Sequence, residues 1–193
     1  MQRLEEKNYN TKEYYNTALT NHYNETGLDF DDSWRLKELL SNFKGGKILD
    51  VGCGVSPLLQ MAISQEQGVT AYGMDFADEF IQRIKGRYLN VNYSVGDFNS
   101  LPFEDNFFNY VVLGEVIEHA EEPNKLIDEA FRVLKSGGRL ALSTPFNEKA
   151  ETHRYPQHMW SFGIQDITEL IGKERIKSLN VVQNNIICHA KND

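Results

Sequence analysis

Cysteine is scarce in this sequence: Cys53 and Cys188 are the only two in 193 residues. Two are too few for the disulfide framework of a small secreted domain or for a structural zinc site. Positive charge is in deficit as well. Twenty Lys and Arg face 28 Asp and Glu, a formal net charge of -8, so the surface repels a phosphate backbone and nucleic acid is a poor fit as partner. The cationic clusters are short, such as Arg83-Ile84-Lys85-Gly86-Arg87, which has the spacing of a solvated helix face. Long apolar runs are missing, since nothing approaches the roughly 20 residues a membrane span needs. The opening MQRLEEKNYN lacks the apolar core of a signal peptide. Repeats, low-complexity tracts and Pro- or Ser-rich linkers are absent too. The expectation is one domain, without a membrane span, in the cytoplasm.

What is present is an ordinary globular balance, 40% hydrophobic and 25% charged residues, enough for a substantial core. Tyr15, Leu19 and Tyr23 recur every four residues and predict a helix over about 10–24. Asp31, Asp32 or Ser33 can cap a second helix, whose Leu36, Leu39, Leu40 and Phe43 share a face until Gly45-Gly46. Then strands and helices alternate. Ile48 to Val51, Thr70 to Met74, Val91 to Val95, NYVVLGEV and Arg139 to Thr144 read as strands. Helices are expected from Pro57, from Asp78 and from Pro123, the last ended by Gly137-Gly138. Alternation of this kind implies right-handed βαβ units, a parallel sheet and helices on both faces. Two β-rich runs at the end, RIKSLNVV and NNIICHAK, flank Gln183-Asn184 and predict a closing hairpin with an antiparallel edge.

The chemistry concentrates in KILDVGCGVSP, Lys47 to Pro57. In an open α/β sheet, ligands sit beyond the carboxyl ends of the strands, and the first strand delivers Gly52 to Ser56 to that crevice. Glycine there accepts positive φ and lets a ligand lie against the backbone. A dinucleotide fingerprint G-x-G-x-x-G is incomplete, because Pro57 stands where its third glycine belongs. Asp50, two residues before the first glycine, would repel a pyrophosphate. An acid at that place suits a ligand that brings a cation.

ILDVGCG resembles the first motif of the class I S-adenosylmethionine-dependent methyltransferases, and the later signals follow that family's order over nearly the whole chain. The resemblance implies a Rossmann-like, seven-stranded, mostly parallel sheet with helices on both faces and an antiparallel terminal strand. A helical cap of residues 1–45 and a cofactor-binding core of 46–193 are expected to form the single domain. The cofactor implied is S-adenosyl-L-methionine, leaving as S-adenosyl-L-homocysteine. Its expected contacts are Asp50, Gly52, Cys53, Gly54 and Ser56 in the turn, and Asp75 on the ribose hydroxyls. Asp97 is placed near the adenine amino group with Phe76 and Phe98 flanking the ring, and Gly114 and Glu115 at the methionine end. The long stretch from Asn109 to Pro145 resembles the ubiquinone and small-molecule branch.

Serine at position 56, where the family usually has another small residue, could bond the methionine carboxylate or cap the following helix. Cys53 reads as a small buried filler, with no basic neighbour to activate it. Glu115, Glu118 and His119 have i, i+3, i+4 spacing and would share a helical face, and ETHRYPQHMWSFG adds His153 and His158. His119 and His158 are the candidate proton acceptors. The E-x-x-E-H run also resembles that of small-RNA-terminal methyltransferases, where it holds a metal, but metal-free relatives carry it too, and no metal is assigned. Tyr14, Tyr15, His22, Trp34, Tyr155, Trp160 and Phe162 belong to the regions that cover the site in this family, with core packing the simpler reading for Trp34 and Trp160. The function expected is methyl transfer to an O or N atom of a small molecule. The alternatives are a catalytically silent cofactor-binding module, an RNA-terminal methyltransferase with a metal, and a nicotinamide-dependent oxidoreductase.

Overall fold

The computed structural model describes residues 1–4, 11–15, 33–149 and 157–193. Of the helix expected over 10–24, only the turn Lys12–Tyr14 falls among them, with the Thr11 hydroxyl accepting from the Tyr14 N–H at 3.2 Å. Leu19, His22, Tyr23, Asp31, Asp32, His153 and Tyr155 lie outside the described residues.

The strands are β1 (Lys47–Val51), β2 (Thr70–Asp75), β3 (Val91–Val95), β4 (Phe108–Gly114), β5 (Leu134–Pro145), β6 (Ile176–Val182) and β7 (Asn185–Lys191). The helices are α1 (Ser33–Leu40), α2 (Leu58–Gln65), α3 (Asp78–Arg87), α4 (Pro123–Val133) and α5 (Ile164–Ile171). The seven strands form one sheet in the order β3-β2-β1-β4-β5-β7-β6, with β7 antiparallel to both of its neighbours and the other pairs parallel. The chain winds outward from β1 to β3, then returns to lay β4 against β1. That reversal leaves a crevice at the carboxyl ends of β1 and β4.

Strand residues serve two cores in turn, as a period of two requires. On one face, Ile48, Ala71, Tyr110, Val112 and Ala141 pack with Leu36, Leu39 and Leu40 of α1, Leu58 and Leu59 of α2 and Ile81 and Ile84 of α3. On the other, Leu49, Val51, Val111 and Leu113 pack with Leu126, Ile127 and Phe131 of α4 and Ile167 and Ile171 of α5. Each fully buried Leu or Ile contributes roughly 1.5–3 kcal/mol of transfer free energy. The sheet is therefore the rigid floor from which the loops rise.

Two boundaries bear on the sequence expectations. The hairpin forms as expected, because Gln183 and Asn184 take φ of 46 and 62, the pair of positive values a type I′ turn requires. Helix α4, however, stops at Val133 rather than at the glycine pair, and Leu134 already pairs with Phe108 in β5. The Asn192 side-chain amide donates to the carbonyls of Phe131 at 3.2 Å and Leu134 at 2.8 Å, so the tail of the chain caps the helix before Gly137 is reached.

The loop between β3 and β4 is pinned by Arg132 of α4. Its guanidinium bonds Glu129, Asp105 and the carbonyls of Leu101 and Phe103, while Glu129 accepts from the Leu101 N–H at 2.7 Å. A two-residue ribbon, Gln2–Arg3 against Trp160–Ser161, ties the start of the chain to the segment following β5. Among the described residues no helix is long and apolar enough to cross a membrane.

Candidate active site

The turn after β1 is held against the end of β2. The N–H groups of Gly52 and Cys53 both donate to the Met74 carbonyl, at 2.8 and 3.0 Å, and Gly54 N–H donates to Asp75 Oδ2 at 2.9 Å. The next helix begins after Pro57, which has no N–H, and the Leu58 N–H donates to Ser56 Oγ at 3.2 Å. The donors that would cradle a phosphate are thus already occupied. The glycines differ from each other. Gly52, at φ +69, has Val116 in the place of its missing side chain, whereas Gly54, at φ +48, has nothing within 4 Å of where a Cβ would stand and faces open space. Cys53 is buried with its Sγ turned inward toward Gly73, and burial, then Asp50 and Asp75, push its thiol well above the usual range.

Two carboxylates flank this turn with opposite surroundings. Asp75 is buried and accepts two backbone N–H bonds, from Gly54 on Oδ2 and from Ala77 on Oδ1, each at 2.9 Å. Asp50 is equally buried, yet its carboxyl makes no hydrogen bond among the described residues. Burial, and then the charge of Asp75, push it from an ordinary 3.8 to about 7, opposed by Arg35. Arg35 was not picked out from the sequence. It extends from α1 beneath Gly114, with Nη1 3.3 Å from Ser143 Oγ and 3.8 Å from Glu115 Oε1. Gly114 leaves room for this approach, since a Cβ there would sit 3.2 Å from Leu39 and 3.6 Å from the Arg35 guanidinium.

Lys12, Phe76, Val95, Gly96, Asp97, Phe98, Asn99, His119 and Glu121 line a cavity of about 430 Å³. That volume lies in the range of small-ligand sites. Phe76 and Phe98 meet edge to face at 5.9 Å, and Tyr15 packs edge-on to Phe76 at 5.0 Å. Asp97 Oδ1 accepts from the Asn99 N–H at 2.8 Å, which fixes the turn.

The run after β4 does not form the helical face expected of it. Glu115 takes φ 55, and Ile117–His119 is a single 3-10 turn, so the run is not a helix, although Glu118 and His119 still come together. Glu115 accepts from Ser143 Oγ at 2.7 Å. Glu118 is fully buried, with Oε2 accepting from Thr144 Oγ1 at 3.0 Å and Oε1 unpartnered. Burial, then the charge of Glu115, raise its carboxyl well above the usual range. His119 Nδ1 lies 3.0 Å from the Gln157 carbonyl and 3.3 Å from the Tyr15 hydroxyl. Burial, then His158, push its imidazole down to about 3. The His119 and His158 rings stand edge to face at 4.8 Å, and His158 Nδ1 lies 2.7 Å from Glu148 Oε2. One oxygen of Glu118 and one ring nitrogen from each histidine fall within 4.8 Å of one another, a donor set of the kind that can hold a divalent ion. Trp160 is tied down by a 2.8 Å bond from Nε1 to the Ala120 carbonyl, and Phe162 is core.

The carboxyl ends of β1 and β2 thus carry the glycine turn with Asp50 and Asp75, while the aromatic-walled cavity is lined from the segments after β2 and β3 and by His119, and the expected contacts Asp50, Gly52, Gly54, Asp75, Gly114 and Glu115 are not part of its lining. Residues 49–142 match the protein family described as Methyltransferase domain. That match, to just under half of the chain, supports a class I S-adenosylmethionine-dependent methyltransferase. It is 26% identical over 132 residues, 67% of its length and 54% of the relative's, to a ubiquinone/menaquinone biosynthesis C-methyltransferase of Desulfotalea psychrophila. It is 32% identical over 105 residues, 52% of its length and 44% of the relative's, to a ubiquinone biosynthesis O-methyltransferase of Coxiella burnetii. The chain therefore spans about half the length of these relatives. A crystal structure of a Pyrococcus horikoshii protein matches the fold seen here with a TM-score of 0.74 at 23% identity, covering 95% of this chain and all of that one.

Proposed function

We propose that this methyltransferase moves the sulfonium methyl of S-adenosylmethionine to an oxygen or nitrogen of a small acceptor. The observation that carries the reading is Asp50, a buried carboxylate without a hydrogen-bond donor, beside a turn whose N–H groups are already bonded. Such a place suits an ammonium or sulfonium and disfavours a diphosphate. In this reading Asp75 accepts from the ribose hydroxyls through lone pairs its two backbone donors leave over. Phe76, Asp97 and Phe98 take the adenine, the backbone of Gly52 to Gly54 passes under the nucleoside, and Gly114, Glu115 and Arg35 meet the methionine end. Arg35 supplies the positive charge for the methionine carboxylate.

Transfer is an in-line displacement in which the carbon–sulfur pair stays on sulfur, so the protein aligns the nucleophile and excludes water. His119, with its imidazole pushed down to about 3, is too weak a base to keep a proton at neutral pH and serves as a hydrogen-bond acceptor. The relatives include a C- and an O-methyltransferase, so likeness leaves the acceptor atom open. Paired imidazoles favour an acceptor with a proton to surrender. Residues 1–45 act with the 46–193 core as one domain, Tyr14 and Tyr15 covering the crevice. Buried, unpaired Cys53 and Cys188 suit a cytoplasmic setting.

Titration calorimetry with S-adenosylhomocysteine and with a nicotinamide dinucleotide tests the cofactor, and binding of the dinucleotide alone overturns the reading. Labelled S-adenosylmethionine incubated with a metabolite extract should yield a labelled small product. Cofactor binding without transfer to any fraction identifies a silent module instead. One observation favours a second reading, a metal-assisted transfer to an RNA terminus: Glu118 Oε1 is buried and unpartnered among two histidines. In that case labelling would appear in RNA, require Mn²⁺ and vanish with EDTA.

A further inference from the structure

The amino ends of the strands, at the opposite end of the sheet from the crevice, hold a second cavity of about 180 Å³. Asn42 and Lys44 on the way from α1 to β1, Asn109 and Tyr110 of β4, and Arg139 of β5 line it. Phe108 pairs with Leu134 and Tyr110 with Arg139, so β5 advances five residues where β4 advances two, and Arg139 is the first paired residue beyond this bulge. The floor is fixed, because Tyr110 is buried and its hydroxyl donates to the Leu39 carbonyl at 2.7 Å. Both charged groups of the lining are cations, in a chain whose acids outnumber its bases by 28 to 20. Neither Lys44 nor Arg139 forms an ion pair among the described residues, and the guanidinium bonds a neutral oxygen, Asn42 Oδ1, at 3.4 Å. A third cation is tied to the same wall, since the Lys135 ammonium donates to Asn109 Oδ1 at 3.3 Å. That oxygen also accepts from the Lys47 N–H at 3.1 Å, so the Asn109 amide turns its own N–H donors the other way. Asp193 sits 3.8 Å from Lys191 and outside the lining. Lys44 also answers the negative end of α1, but Arg139, on a strand, has no such role. Two unpaired cations facing one small cavity repel each other, and an anion between them removes that cost.

We propose that this cavity is an oxyanion site, taking a phosphate-sized group between the Arg139 guanidinium, the Lys44 ammonium and the Asn109 amide. Guanidinium and ammonium both suit phosphate, one through paired N–H bonds and the other as a point charge. The lining offers no carboxylate to repel such a group. Its volume suits inorganic phosphate or the terminal phosphate of a small metabolite, and it is too small for a nucleotide. The site stands whether or not the crevice transfers methyl groups. Its occupant still bears on the crevice. Arg139 and Ser143 share a face of β5, and α1 lies along that face, with Asn42, just past its end, at Arg139 and with Arg35 at Ser143. A group bridging Lys44 to Arg139 therefore ties the end of α1 to the sheet and steadies the helix that carries Arg35.

Amide ¹H–¹⁵N spectra of labelled protein, titrated with sodium phosphate at constant pH and ionic strength, read the site directly. Phosphate should give saturable shifts at Lys44, Gly45, Asn109 and Gly137 with a Kd of about 10 mM or tighter, and chloride or acetate should give none that match. Glycerol phosphate separates the two sources. Binding at least as tight as that of the free ion assigns the site to a phosphorylated metabolite, and binding of inorganic phosphate alone assigns it to the free ion. Arg139→Gln should weaken phosphate binding about tenfold, and the exposed Lys44→Gln somewhat less. Unchanged amide signals away from the cavity report that each variant is folded. Shifts that follow ionic strength whatever the anion overturn the proposal, as does phosphate binding that survives in the double variant. The wild-type comparison of anions needs neither a variant nor a cofactor, so it decides the point even if methyl transfer is never found.

Discussion

Asp50 and Asp75 are the same residue type at the ends of neighbouring strands, both buried, and they should answer substitution with opposite signs. Asp75 satisfies the Gly54 and Ala77 N–H groups. Asp75→Asn keeps one acceptor and turns an N–H toward the other donor, at a cost of about 1–3 kcal/mol. Asp50 satisfies nothing in the ligand-free protein. Its carboxyl is raised from 3.8 to about 7, so the folded chain binds a proton that the unfolded chain releases near pH 4. Stability from this group is full below that pH and is lost as pH rises through about 7. The displacement amounts to about 4 kcal/mol as an upper bound. Asp50→Asn should therefore melt several degrees higher than wild type at pH 8, with little difference at pH 4, while binding the cofactor at least tenfold more weakly. Thermal melts at the two pH values, paired with calorimetry, check both halves. An Asn variant that melts lower at pH 8 would mean Asp50 has a structural partner after all.

At the scale of the element, the strand-to-helix turn divides its two glycines between fold and function. At Gly52 an added methyl would come within 2.7 Å of Val116 Cγ2 at a φ of +69, so Gly52→Ala should cost about 2–4 kcal/mol of stability. At Gly54 the φ of +48 is milder and the space is open, so Gly54→Ala should cost only about 1 kcal/mol while obstructing the cofactor. Denaturation midpoints against cofactor Kd for the two variants separate these effects, and equal losses of both in both variants would refute the division. This turn was legible in the sequence because glycines, a proline and a strand-ending acid are local signals. The strands were legible for the same reason, through short apolar runs such as Tyr110 to Leu113 bounded by turn residues. The E-x-x-E-H run was misread as a helical face because nothing local announces the positive φ at Glu115. Arg35 and Glu148 escaped notice for a different reason. Each matters through a contact across the fold, with Ser143 and Glu115 in one case and His158 in the other, and composition around either residue carries no trace of it.

Taken as a whole, the molecule collects carboxylates from three strand ends and sets a single guanidinium among them. Asp50 comes from β1, Asp75 from β2, and Glu115 and Glu118 from the segment after β4, and Arg35 of α1 acts on both Asp50 and Glu118. One positive charge does not balance four negative ones in a crevice shielded from water, and the carboxyls of Asp50 and Glu118 are both raised by burial and by a neighbouring carboxylate. A cationic cofactor supplies the missing charge beside Asp50 and should expel its proton on binding. With the group at about 7, the apparent Kd for S-adenosylhomocysteine, whose ammonium remains, should be about elevenfold above its limiting value at pH 6 and about 1.1-fold above it at pH 8. Calorimetry across that range, repeated in two buffers of different ionisation enthalpy, measures both the affinity and the proton released. The Asp50→Asn variant should bind weakly with no pH dependence between 6 and 8. If the wild type shows the same flat profile and takes the ligand up with no proton released, the cofactor's cation is being received somewhere other than at Asp50.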